Sequence, residues 1–154
     1  MITPFCFRSE VVLALLKPAQ NNSNSNHNQY NKFWVNSSQL DWDAVLSLFK
    51  AGNYMHALFF AHLSIEKLLK AHWVKDNDED YPPRVHNLEY LYNQTNLSLD
   101  SQYIDELRII TSWNIEGRYQ DYRDRFYKLS TKDYTERKLK TVKEIRECLI
   151  KKLQ

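Results

Sequence analysis

Glycine is almost missing: the 154-residue chain holds two. At the usual roughly 7%, a chain of this length would carry about eleven. Glycine reaches positive φ and lets backbone come close to a ligand. Two are too few for the dinucleotide fingerprint G-x-G-x-x-G, and Gly52 and Gly117 lie too far apart for the phosphate loop G-x-x-x-x-G-K-[ST]. A Rossmann domain and a P-loop enzyme are therefore excluded, and hairpin-rich β folds are disfavoured. Cysteine is equally scarce. Cys6 and Cys148 lie at opposite ends and form neither a disulfide framework nor a C-x-x-C pair, which suits a reducing cytoplasm. No apolar run approaches the ~20 residues of a membrane span. The stretch Val11-Val12-Leu13-Ala14-Leu15-Leu16 is too short, follows Glu10 and lacks an A-x-A-like cleavage site, so it does not read as a signal peptide. Neither sign of charge dominates, with 21 basic and 19 acidic residues.

What is present is helical periodicity in a chain the size of one domain. Residues 20–36 are rich in asparagine (Asn21, Asn22, Asn24, Asn26, Asn28, Asn31 and Asn36). Such a segment offers little apolar surface against its ordering entropy. The expectation is a flexible extension and linker over residues 1–36, and a helical domain over 37–154. A first helix, capped by Ser37 or Ser38, is predicted to reach about Lys50, with Gly52-Asn53 as the turn. In the second, from Tyr54 to about Val74, Leu58, Ala61, Ile65, Leu68, Leu69 and His72 share one face. An acidic loop follows and ends at Pro82-Pro83. A short third helix is predicted over Asn87–Gln94. A fourth starts near Ser98–Asp100, with the stripe Tyr103, Leu107, Ile110 and Trp113 or Asn114, and stops at Gly117. Residues 118–129 read as a connection rich in Tyr and Arg. A last helix runs from near Ser130–Thr131 to Leu153 on the stripe Leu139, Val142, Ile145 and Leu149. The expected fold class is all-α: a five-helix, up-and-down antiparallel bundle. Residues 137–154 carry Arg137, Lys138, Lys140, Lys143, Arg146, Lys151 and Lys152 against Glu144 and Glu147. That reads first as a solvated face, with a phosphate-attracting patch as the alternative.

One ordered pattern goes beyond generic amphipathicity. Gly52-x-Tyr54-x-x-Ala57-x-Phe59 leads into Ala61 and then Glu66-Lys67-x-Leu69-Lys70-Ala71. Pro83-x-x-His86-x-Leu88 follows, and later Gly117-Arg118-Tyr119-Gln120-Asp121. This chain resembles the HEPN family (higher eukaryotes and prokaryotes nucleotide-binding), whose pieces are a G-x-Y-x-x-A-x-F…A-x-E-K-x-L-K-A helix, a P-x-x-H-x-L step and an A-R-Y-P-D turn. Gln120 stands where that turn usually has proline. The resemblance implies a helical bundle with a four-helix core, a homodimer with a cleft near its interface, and a nucleotide- or RNA-related role. It also implies work beside a small nucleotidyltransferase, in toxin–antitoxin or related modules.

Many members of the family are metal-independent ribonucleases marked by Arg, four to six residues, then His. RNA cleavage needs one group to take the 2′-OH proton and another to protonate the leaving oxygen. Imidazole does either near neutral pH, and a guanidinium grips phosphate in a fork. The five histidines are His27, His56, His62, His72 and His86, and none follows an arginine at that spacing. The expectation is therefore no catalytic residue. Candidate ligand-binding residues for a nucleotide or phosphate cleft are Glu66, Lys70, His86, Asn114, Arg118, Tyr119 and Asp121. Each has a structural alternative. Glu66 could clamp helices through Arg118 or Lys70, since a carboxylate on an apolar helix needs a partner. His86-Asn87 could serve packing and capping. The aromatic and basic residues of 118–128 could pack on the bundle or a dimer mate rather than stack on bases. No metal site and no cofactor is expected: His62 with Glu66 supplies two ligands at most, and no H-E-x-x-H occurs. Three functions remain: a non-catalytic nucleotide or RNA binder acting with a nucleotidyltransferase, a homodimeric adaptor or antitoxin that binds only protein, and an atypical ribonuclease.

Overall fold

The computed structural model describes residues 23–77 and 79–154. Among them it contains six helices: α1 Ser23–Lys50, α2 Tyr54–Asp76, α3 Leu88–Asn93, α4 Ser101–Arg118, α5 Gln120–Leu129 and α6 Lys132–Leu153. No described helix is long and apolar enough to cross a membrane. The expectations for residues 1–22 lie outside the described residues.

Helix α2 is the axis of the molecule. Its apolar residues Met55, Ala57, Leu58, Ala61, Ile65, Leu68, Leu69, Ala71, Trp73 and Val74 are all buried, as in a helix covered on nearly every side. Cross-links fix how the others lie on it. Asn31 and Ser38 of α1 bond the carbonyls of Ala71 and Ser64, so α1 runs antiparallel to α2. Asn114 of α4 meets His62, and Gly117 meets Phe59, so α4 is antiparallel too. His72 bonds the Leu149 carbonyl and Lys75 that of Lys152, so α6 runs parallel. The result is the expected up-and-down arrangement, with Leu107, Ile110 and Trp113 of α4 and Leu139, Val142, Ile145 and Leu149 of α6 closing the core.

Local signals explain most boundaries. Gly52 takes φ +79°, the left-handed conformation that ends helices. Asn87 Oδ1 accepts the Tyr90 N–H at 2.9 Å and caps α3. Thr131 Oγ1 accepts the Tyr134 N–H and caps α6.

Three expectations are corrected. The linker over residues 20–36 is helix from Ser23 onward, and Ser38 caps nothing: it is fully buried and bonded across to Ser64. Residues 118–129 are not a connection but mostly α5, which makes six helices rather than five; Phe126, fully buried, anchors it. Gln120 opens that helix at a position where proline is equally at home. Gly117 does not stop α4. A Cβ there would stand 2.9 Å from the Phe59 ring, so the small residue lets α4 approach α2.

Candidate functional site

Four of the seven candidate residues meet in one buried network on α2. Glu66 and Lys70 are one turn apart. Lys70 Nζ donates to Glu66 Oε1 at 2.7 Å, and its charge also lies 5.5 Å from the centre of the Trp34 ring. The other carboxylate oxygen, Oε2, accepts the His86 Nδ1–H at 2.9 Å. Glu66 is 5% exposed. Burial alone would push its pKa up, but the hydrogen bonds from Lys70 and His86 and the charge of Lys70 outweigh it and hold the carboxyl below its usual range.

His62, fully buried, completes the network. Its Nε2 lies 2.9 Å from the His86 carbonyl oxygen. A carbonyl only accepts, so Nε2 carries the proton. Nδ1 then accepts from Asn114 Nδ2 at 3.3 Å. Burial drives the His62 pKa down to about 4, against the pull of the carbonyl bond and of Glu66. The ring is therefore neutral at pH 7, and the 3.8 Å approach of its Nδ1 to Glu66 is proximity rather than an ion pair. The proximity of His62 and Glu66 at i,i+4 was legible. That His62 grips the backbone of residue 86 was not, because it depends on the course of the segment between α2 and α3.

His86 is thus held at two points, its carbonyl by His62 and its ring by Glu66. An ionised carboxylate can only accept, so Nδ1 of His86 bears a hydrogen, and in the neutral ring Nε2 presents a lone pair. The side chain is 47% exposed, and Nε2 has no hydrogen-bond partner among the described residues. The candidate reading of His86 as a packing residue therefore covers only half of the ring, while its neighbour Asn87 does the capping.

The remaining three candidates lie outside this network. Arg118 does not clamp Glu66. It is exposed at the end of α4, 5.9 Å from the Phe59 ring centre, and its charge is felt at His62, where it opposes protonation. Tyr119 is 60% exposed and Asp121 is exposed, and neither bonds to the buried carboxylate. Lys67 points off this face and pairs with Asp41 at 2.6 Å. Among the described residues, no group of three or more His, Cys, Asp or Glu side chains is placed to hold a metal ion.

A second buried polar cluster occupies another side of α2. Arg146 of α6 is 3% exposed. It donates to Ser38 Oγ at 2.6 Å, to Ser64 Oγ, and to Gln39 Oε1 at 3.1 Å, and it lies 5.0 Å from the Trp42 ring centre. Gln39 in turn donates to Asp43 Oδ1 at 2.9 Å. The terminal basic segment is thus not wholly a solvated face. Burial lowers the Arg146 pKa to about 10, despite Asp43 and Asp41, and the guanidinium stays charged at neutral pH. Lys138 is likewise tied, to Glu106 at 2.8 Å.

With this geometry in place, comparison with known proteins gives one match. The family model of the HEPN domain matches residues 31–153. No curated protein and no solved structure matches the chain significantly.

Proposed function

The chain belongs to the HEPN domain family, and from that premise we propose that it binds a nucleotide or a short single-stranded RNA without cleaving it, alongside a small nucleotidyltransferase partner. The observation that carries the reading is the pairing of an open, doubly held His86 with an exposed Arg118 on the same side of α2. The guanidinium can fork onto phosphate oxygens, and the open Nε2 of His86 can accept a hydrogen bond from a ribose hydroxyl or a base N–H beside it. Tyr119 and Tyr122, both exposed, offer rings on which a base can stack, and Asp121 lies between them in sequence. Glu66, Lys70 and Asn114 take supporting parts, since each is buried and spent on holding a neighbour. Absence of cleavage rests on the sequence: no histidine follows an arginine by four to six residues.

Anisotropy titration of labelled ATP, GTP and a short single-stranded RNA tests this reading. The expected result is saturable binding that weakens about tenfold or more in Arg118→Ala, the size of a lost charge-assisted bond. RNA should stay intact after long incubation in EDTA. No binding of any of the three would overturn it and favour the adaptor. That second reading draws on α4 and α5, where Ile115, Tyr119, Tyr122, Tyr127 and Leu129 are exposed together. Exposed apolar side chains in such number suit a homodimer or a protein partner, which sedimentation of the chain alone and with a small nucleotidyltransferase would reveal.

A further inference from the structure

The four histidines with described side chains employ their ring nitrogens in three different ways. His62 and His72 are buried and spend Nε2 on backbone carbonyls, of His86 and Leu149. His56 is exposed and has no carboxylate partner among the described residues. Only His86 combines an oriented ring with an open Nε2. Its Nδ1–H is fixed on Glu66, and Glu66 cannot swing away because Lys70 holds its other oxygen.

A carboxylate behind an imidazole does two things. It fixes the tautomer, and it stabilises the positive charge that grows on the ring when the far nitrogen uses its lone pair. No hydroxyl or thiol of the described residues bonds to Nε2 of His86, so the ring has no side-chain nucleophile to activate. The ring is itself the nucleophile. The electrophile it suits is anionic, because the exposed guanidinium of Arg118 stands on the same side of α2, over Phe59 and one turn of α4 beyond the Asn114 that meets His62.

We propose that His86 is a phosphoryl-acceptor site, modified at Nε2 by a donor of the phosphoramidate class. The Nε2 lone pair forms the new N–P bond. The P–N bond of the donor breaks, and its electron pair leaves on the amine. The Nδ1 proton stays on the ring, bonded to Glu66 Oε2. Glu66 is a positioning residue and Lys70 fixes it. This inference uses the same His86 and Arg118 as the proposed nucleotide site, but its test contains no nucleotide, so either reading can fail without the other.

The test uses the full chain and potassium phosphoramidate at pH 8, with the phosphorylated positions mapped by mass spectrometry under alkaline conditions. His56, in the same molecule, is the reference for an unassisted exposed imidazole. His86 should label about tenfold faster than His56, a difference of about 1.4 kcal/mol in the barrier. Glu66→Gln should bring His86 down to the His56 rate and leave His56 unchanged, which a merely structural role would not do. His86→Asn should remove that label alone. Equal labelling of His56 and His86 in the unmodified chain would overturn the proposal, and so would an unchanged ratio in a folded Glu66→Gln variant. If Glu66→Gln does not fold, the ratio in the unmodified chain decides.

Discussion

Two buried charges lie on two sides of helix α2, Glu66 on the helix itself and Arg146 reaching in from α6, and they are handled in opposite ways. Around Arg146 the cluster is closed: the guanidinium meets two serine hydroxyls and Gln39, which passes the charge on to Asp43. Every direct ligand is neutral, and although Gln39 and Asp43 are exposed, neither offers a nucleophilic ring nitrogen to solvent. Around Glu66 the cluster is open. The carboxylate meets a lysine directly and ends in a half-exposed imidazole. A buried charge with complete partners fixes packing and no more. One whose last partner faces water also sets the chemistry of that partner. The difference assigns structure to Arg146 and function to Glu66.

The comparison can be broken first at Glu66. Glu66→Ala leaves Lys70, itself 7% exposed, without its counter-charge. Removing one partner of a buried pair should cost about 3–5 kcal/mol, read as a shift in the urea midpoint. The pair Glu66→Leu and Lys70→Met together should recover most of it. If the single change costs less than about 1 kcal/mol, the cluster is solvated and the contrast fails.

Acid comes next. His62 is held to about 4 against an ordinary 6.5. As pH falls from 6.5, the unfolded imidazole takes up a proton that the folded one refuses, so stability falls until about pH 4. There the folded ring protonates too and this contribution ends. The shift corresponds to about 3 kcal/mol over that window. His72, lowered chiefly by burial, works in the same direction, and so does the depressed Glu66 below its unfolded value. His62→Gln should flatten the slope between pH 6.5 and 4. An equal slope in that variant would remove His62 from the account.

Arg146→Met should be milder. Ser38 and Ser64 already bond each other, Oγ to carbonyl at 2.7 Å and Oγ to Oγ at 3.2 Å, so their hydroxyls keep partners. Lost hydrogen bonds to a charged group offset by cheaper burial of an apolar chain suggest a loss of about 1–2 kcal/mol in thermal or urea unfolding, with ligand binding unchanged. Gly117→Ala sits lower still. The gain in helix propensity of about 1 kcal/mol offsets much of the crowding against Phe59. A net loss of about 1 kcal/mol is expected, together with weaker nucleotide binding, because Phe59 is the ring under Arg118. The smallest effect belongs to Arg118→Ala. That exposed residue should change stability by less than about 0.5 kcal/mol while still weakening the ligand.

Much of this was legible in residue spacing. The stripes of α2, α4 and α6 are buried as their periodicity requires, Gly52 and Asn87 mark the turn and the cap, and Glu66 with Lys70 is a one-turn pair. The misses share a cause: tertiary contacts override local composition. Residues 23–36 look too polar to order. Yet Asn31 bonds the Ala71 carbonyl, Trp34 lies against Lys70 and Val35 packs on the core, while Asn28 and Asn36 lie exposed on the same helix. In α5, Phe126 alone is buried among exposed charges and tyrosines, which gives too thin a stripe to read as helix. Tyr119 and Asp121 adjoin Arg118 in sequence, but α4 ends at Arg118 and neither bonds to the buried carboxylate. The hold of His62 on the His86 carbonyl depends on the course of the segment between α2 and α3, which residue order does not specify.

The central claim is that Glu66 and His62 fix His86 with Nδ1 protonated and Nε2 open. The most direct measurement is a nitrogen-15 correlation spectrum of the histidine rings at pH 8. The account predicts opposite tautomers: His62 with its hydrogen on Nε2, and His86 with its hydrogen on Nδ1. A His86 ring that carries its hydrogen on Nε2, or averages freely between the two, would contradict it.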